Sequence, residues 1–117
     1  MKSDDRTRLR HMLDAANEAT ASIKGRKRDD LNKDHVWMLG LVKCLEIIGE
    51  AASRVSDSTQ DKYSQIPWAE IIAMRNRLVH VYFDTDLDQV WKALTEDLPP
   101  LISELENILE SDTDIWD

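Results

Sequence analysis

The chain has 117 residues, enough for one domain with a real core, and 42% of them are hydrophobic, which excludes wholesale disorder. Three glycines and three prolines are too few turn residues for a protein of many short strands, aromatics are few as well, and the composition favours long helices. The formal net charge of −8 excludes a protein that coats nucleic acid by bulk attraction, though not an enzyme that grips one or two phosphates at a local cationic site.

In chain order, the first predicted helix runs from about Asp5 to Lys24. Its apolar residues Leu9, Met12, Leu13, Ala16, Ala19 and Ile23 step by three or four, the spacing of one buried helix face. Gly25 ends it, and a charged loop, Arg26-Lys27-Arg28-Asp29-Asp30, follows. The second predicted helix spans about Leu31 to Val55. Leu41, Cys44, Leu45, Ile48, Ala52 and Val55 form one stripe, while Val36, Leu39 and Ile47 lie off it. A helix apolar on more than one side is buried on both. Its second side faces either another subunit or, in a monomer, more of the same core. Ser56 to Gln65 reads as a polar connector with one helical turn near Tyr63. Pro67 suits the first turn of a third helix, from Pro67 to about Val81. Asp84-Thr85-Asp86 supplies caps for a fourth, with apolar residues from Leu87 to Leu109. Pro99-Pro100 inside it predicts a kink or break at that point. The expected organisation is one helical domain over 1–111 and a frayed tail over 112–117.

The third helix carries the unusual charge. At about 100° per residue, Trp68, Ile71, Ile72, Met74, Leu78 and Val79 define an apolar arc with Arg75 in its middle. An arginine so placed either pairs with a carboxylate, Glu46 or Glu50 on the second helix being available, or lines a cleft open to an anion. Asn76 and His80 share the next stripe, and Tyr82 lies nearly beneath Arg75 if the helix reaches it. A histidine near a helix C-terminus also has the plain role of satisfying the last carbonyls. The other constellations are weak. His11, His35, His80 and Cys44 show no metal-ligand spacing, and there is no phosphate-binding glycine loop. The short basic run at Arg26–Arg28 reads first as a solvated loop. The one cysteine, Cys44, permits no disulfide within the chain, and neither a signal sequence nor a membrane span is evident, so a cytoplasmic location is expected.

The stretch Ile66-Pro67-Trp68 … Met74-Arg75-Asn76-Arg77-Leu78-Val79-His80-Val81-Tyr82 resembles the HepT-like toxin branch of the HEPN family. The shared pattern is Arg-Asn, His five residues after the Arg, and Tyr two residues after the His. Leu45–Ala52 and the segment from Asp86 to Leu98 are similar to the same family, so the resemblance extends from about Arg6 to Leu109. It implies an all-α HEPN bundle of four to five helices, a homodimer, and a metal-independent endoribonuclease site built from Arg75, Asn76 and His80 without a cofactor. It also implies a partner antitoxin of the minimal nucleotidyltransferase (MNT) class, which silences the toxin by transferring AMP to Tyr82. The chemistry of the residues agrees. Histidine suits proton transfer near neutrality, arginine holds phosphate with a planar fork, and asparagine orients either. Two other classes of function stand beside this one. One is a non-catalytic nucleotide-binding adaptor for a nucleotidyltransferase. The other is a helical dimerisation module in which Arg75 is only an ion-pair residue.

Overall fold

In the computed structural model, residues 1–80 and 86–111 are described, residues 79 and 80 by their backbone alone. The caps expected at Asp84 and Thr85, Tyr82, and the expected tail 112–117 lie outside the described residues. Every regular element among the described residues is helical: α1 (Ser3–Ser22), α2 (Asp30–Lys33), α3 (His35–Ser53), α4 (Asp57–Lys62), α5 (Trp68–His80), α6 (Leu87–Lys92), a π-helical turn (Ala93–Asp97) and α7 (Leu98–Ser111). No helix among them is long and apolar enough to cross a membrane.

The expected α1 stripe is the buried face of that helix: Leu9, Met12, Ala16 and Ala19 are fully enclosed. The chain leaves α1 through Gly25, whose φ of +74° is the left-handed conformation that only glycine adopts without strain. The single second helix expected over Leu31–Val55 is two helices. Asp34 breaks it with φ −122° and ψ 89°, and its carboxylate accepts from Trp37 N to cap α3. A short polar side chain that satisfies the exposed N–H groups of a new helix stabilises the break better than continuation would. The connector holds a longer helix than expected, and an earlier one. Ser56 Oγ accepts from Thr59 N and starts α4 at Asp57 rather than near Tyr63.

Asp5 ties this corner together. Its carboxylate is 4% exposed and accepts from Ser56 N, Ser56 Oγ and Thr59 Oγ1 at 2.9, 2.6 and 2.7 Å. Burial alone would raise its pKa. The hydrogen bonds from Ser56 and Thr59 outweigh burial and hold the carboxyl below its ordinary value.

Asp86 caps α6 as expected, accepting from Asp88 N and Gln89 N. The disturbance expected at Pro99-Pro100 lies one turn upstream, in the π turn. Two prolines remove the donors that the carbonyls of Thr95 and Glu96 would use, and their rings crowd those carbonyls. A widened turn before them relieves the clash and lets α7 continue. Leu98, Leu101, Leu105, Ile108 and Leu109 then face the core.

α3 is the central helix. It packs on α1 and on α5, and α7 covers the other flank of α1. The second apolar side of α3 is left open by the described residues: Val36, Leu39 and Ile47 are 79%, 38% and 39% exposed.

Candidate functional site

α5 meets α3 at a notch made by a glycine. A Cβ added at Gly49 would run into Arg75 Cβ and lie 2.8 Å from Arg75 Cγ and 3.2 Å from the Ile71 carbonyl oxygen. The absent side chain is therefore what admits the stem of Arg75 to the face of α3. The next residue, Glu50, is placed to receive the guanidinium: Arg75 Nη2 lies 2.7 Å from Glu50 Oε2. Arg75 Nη1 donates to Asn76 Oδ1 at 2.9 Å, so two adjacent residues of α5 fix one another. Glu50 Oε1 accepts from Arg54 Nε at 2.9 Å. The hydrogen bond from Arg54, then the charge of Arg75, hold the Glu50 carboxyl below the usual carboxylate range.

Arg75 thus meets both expectations at once. It pairs with a carboxylate, and it also lines a cleft of about 390 Å³. The other walls are Arg8 and His11 from α1, Lys43, Glu46, Ile47, Glu50 and Ala51 from α3, and Arg54 just after it. A guanidinium has five N–H donors, and the ion pair and the bond to Asn76 occupy only part of that set. Its side chain is still 32% exposed, so an anion in the cleft can reach it.

Of the four site residues expected from sequence, Arg75 and Asn76 are adjacent and hydrogen-bonded. His80 is the last residue of α5, four positions beyond Asn76; its side chain and the whole of Tyr82 lie outside the described residues. Sequence reading missed Arg8, His11, Lys43 and Arg54 as cleft residues. The spacing of Arg8 and His11, one turn apart beside the buried stripe of α1, was the available signal. The basic run after Gly25 is taken up by local contacts: Arg26 stacks on Trp37 and pairs with Asp34, and Arg28 pairs with Asp88. Among the described residues, no group of three His, Cys, Asp or Glu side chains is arranged to hold a metal ion.

The family profile described as "Ribonuclease HepT-like" matches residues 12–108. The chain belongs to the HepT-like ribonuclease family. A relative in Caldanaerobacter subterraneus subsp. tengcongensis, provisionally named an RNase, is 33% identical over 104 residues, 89% of this chain and 93% of that one. Another so named, in Methanocaldococcus jannaschii, is 30% identical over 105 residues, 90% of this chain and 96% of that one. A protein of Thermococcus cleftensis named "Probable ribonuclease HepT" is 34% identical over 80 residues, 68% of this chain and 73% of that one. No solved structure matches the chain.

Proposed function

We propose that this HepT-like ribonuclease is a metal-independent endoribonuclease, the toxin of a toxin–antitoxin pair, acting in the cytoplasm as a homodimer. One observation carries the reading: a guanidinium oriented by Asn76 and Glu50 stands in an open cationic cleft, on the helix that ends at His80. Cleavage without a metal requires attack by the ribose 2′-oxygen on the adjacent phosphorus. The O2′–P bond forms and the P–O5′ bond breaks, leaving a 2′,3′-cyclic phosphate and a free 5′-hydroxyl. A neutral imidazole takes the 2′ proton, and a second, protonated imidazole gives one to the departing O5′. Each chain contributes one motif histidine, His80, so a dimer supplies both. Arg75 neutralises the charge that builds on the phosphate, and its fork suits two phosphate oxygens. The uncovered apolar face of α3, with Val36, Leu39 and Ile47, is the surface on which two such chains would pair.

In the same reading Tyr82 is the control point. A nucleotidyltransferase antitoxin of the MNT class would join the phenol oxygen to the α-phosphorus of ATP, releasing pyrophosphate. The added phosphate would then compete for Arg75.

The test is cleavage of labelled RNA by the purified chain in the presence of EDTA. Wild type is expected to cut, and His80→Ala to lose activity by at least about 10²-fold with its helical content intact. Undiminished cleavage by His80→Ala, or cleavage abolished by EDTA in wild type, would overturn the mechanism.

A further inference from the structure

The cleft beside Arg75 has a second wall that the motif on α5 does not explain. Arg8 and His11 on α1, Lys43 on α3 and Arg54 at its C-terminal cap line the same space as Arg75. Its fixed charges are four cations against two carboxylates, Glu46 and Glu50. Both carboxylates already face cations of the wall: Lys43 Nζ lies 3.8 Å from Glu46 Oε2, and Glu50 is shared between Arg54 and Arg75. Arg8 is half-buried and contributes its charge near Glu50, yet among the described residues it forms no ion pair. In a chain of net charge −8, this local surplus of positive charge runs against the field of the whole protein. Such a surplus is costly to assemble unless an anion shares it. Its walls, drawn from α1, α3 and α5, offer more cations than one phosphate at Arg75 would need. A concave site of about 390 Å³ is of the size that holds part of one nucleic-acid strand.

We propose that Arg8, His11, Lys43 and Arg54 form a phosphate subsite that holds a single-stranded RNA next to the phosphodiester at Arg75. This rests on the ribonuclease reading above and adds where the flanking strand runs. The guanidiniums and the ammonium take backbone phosphates, and the imidazole of His11 adds a hydrogen bond. Affinity then grows with the number of phosphates engaged, so a strand binds where a lone nucleotide does not.

Binding is measured with a short fluorescent single-stranded RNA and the full-length His80→Ala chain across a salt series. Arg8→Gln with Lys43→Gln, in that background, is expected to weaken binding at least about tenfold and to flatten the slope of log K against log salt by about 1.4, roughly 0.7 per lost phosphate contact. Arg10→Gln with Lys33→Gln removes the same charge outside the cleft and is expected to leave the slope unchanged. Wild-type affinity and slope in the cleft variant would overturn the subsite. So would equal losses in the two double variants, which would reduce the effect to net charge. ATP competing as well as the strand does would overturn the strand reading. Lys43→Gln alone, at a position exposed to solvent, keeps the measurement possible if the double variant folds poorly. Absence of cleavage by the wild-type chain refutes the ribonuclease reading instead, and the salt slopes still decide the subsite.

Discussion

The notch at Gly49 makes a prediction in which one substitution has opposite effects at two places on one helix. Gly40 and Gly49 both lie inside α3. A Cβ at Gly40 meets nothing within 4 Å, whereas at Gly49 it collides with the stem of Arg75 and crowds the Ile71 carbonyl oxygen. Alanine in a helix interior is favoured over glycine by about 0.8–1 kcal/mol. Gly40→Ala should therefore stabilise the chain by about that amount. At Gly49 the same gain is opposed by overpacking, typically about 1–3 kcal/mol. The colliding atoms are a Cβ and a backbone oxygen, which yield less than the end of a flexible side chain, so the upper end applies. The net is a loss of about 2 kcal/mol, and the two variants should differ by about 3 kcal/mol. For a domain of this size, about 4 °C of melting temperature corresponds to each kcal/mol. Thermal unfolding followed by circular dichroism should then place Gly49→Ala about 8 °C below wild type and Gly40→Ala about 3 °C above it. All three proteins are compared at one concentration, because association makes melting concentration-dependent. Gly49→Ala should also cut RNA about 10²-fold more slowly, since a guanidinium displaced by about 1 Å no longer fits the reacting phosphate. A Gly49→Ala chain as stable as wild type would refute the close approach of α5 to α3.

Asp5→Ala should cost about 1–3 kcal/mol, because Ser56 N–H and two hydroxyls lose their acceptor. The folded-state pKa of Asp5 is lowered, so its contribution is complete above the ordinary value of 3.8 and lost as pH falls through the lower folded value. Acid titration followed by circular dichroism should therefore show a shallower loss of stability below that point in the variant than in wild type. Light scattering at micromolar concentration should give the mass of two chains for wild type and of one for Ile47→Asp with Val36→Asp, with helical content kept; a wild-type mass of one chain would refute the dimer. Mass spectrometry after co-expression with a neighbouring MNT-type nucleotidyltransferase should find added AMP on Tyr82 and none in Tyr82→Phe, which should stay toxic. Full neutralisation of Tyr82→Phe by that partner would refute control by modification.

Much of the fold was legible because burial imposes a period. The stripe on α1 and the apolar residues of α7 face the core as their spacing predicts, and Arg75 announced itself as a charge in an apolar arc. The break at Asp34 was hidden because four polar residues, Asn32 to His35, also suit one exposed turn of a continuous helix, so only the capping role of Asp34 marks the new start. The kink expected at Pro99-Pro100 is instead a π turn one turn earlier, because prolines act on carbonyls four residues before them. The second wall of the cleft was less accessible still. Arg8, Lys43 and Arg54 are ordinary surface cations in the sequence, and only the packing of α1 on α3 gives them a common space with Arg75.

Glu50, held between Arg54 and Arg75, has a consequence for which anions the cleft admits. A carboxylate tethered on α3 competes for Arg75 at the high effective concentration of any intramolecular partner. A free sulfate or inorganic phosphate meets that competitor with one charge centre and little to gain by displacing it. A polymer with regularly spaced phosphates engages several cations of the cleft in one encounter, so each further contact is itself intramolecular. On the proposed reading, Glu50 is a tethered rival that a multivalent anion would displace more readily than a small one.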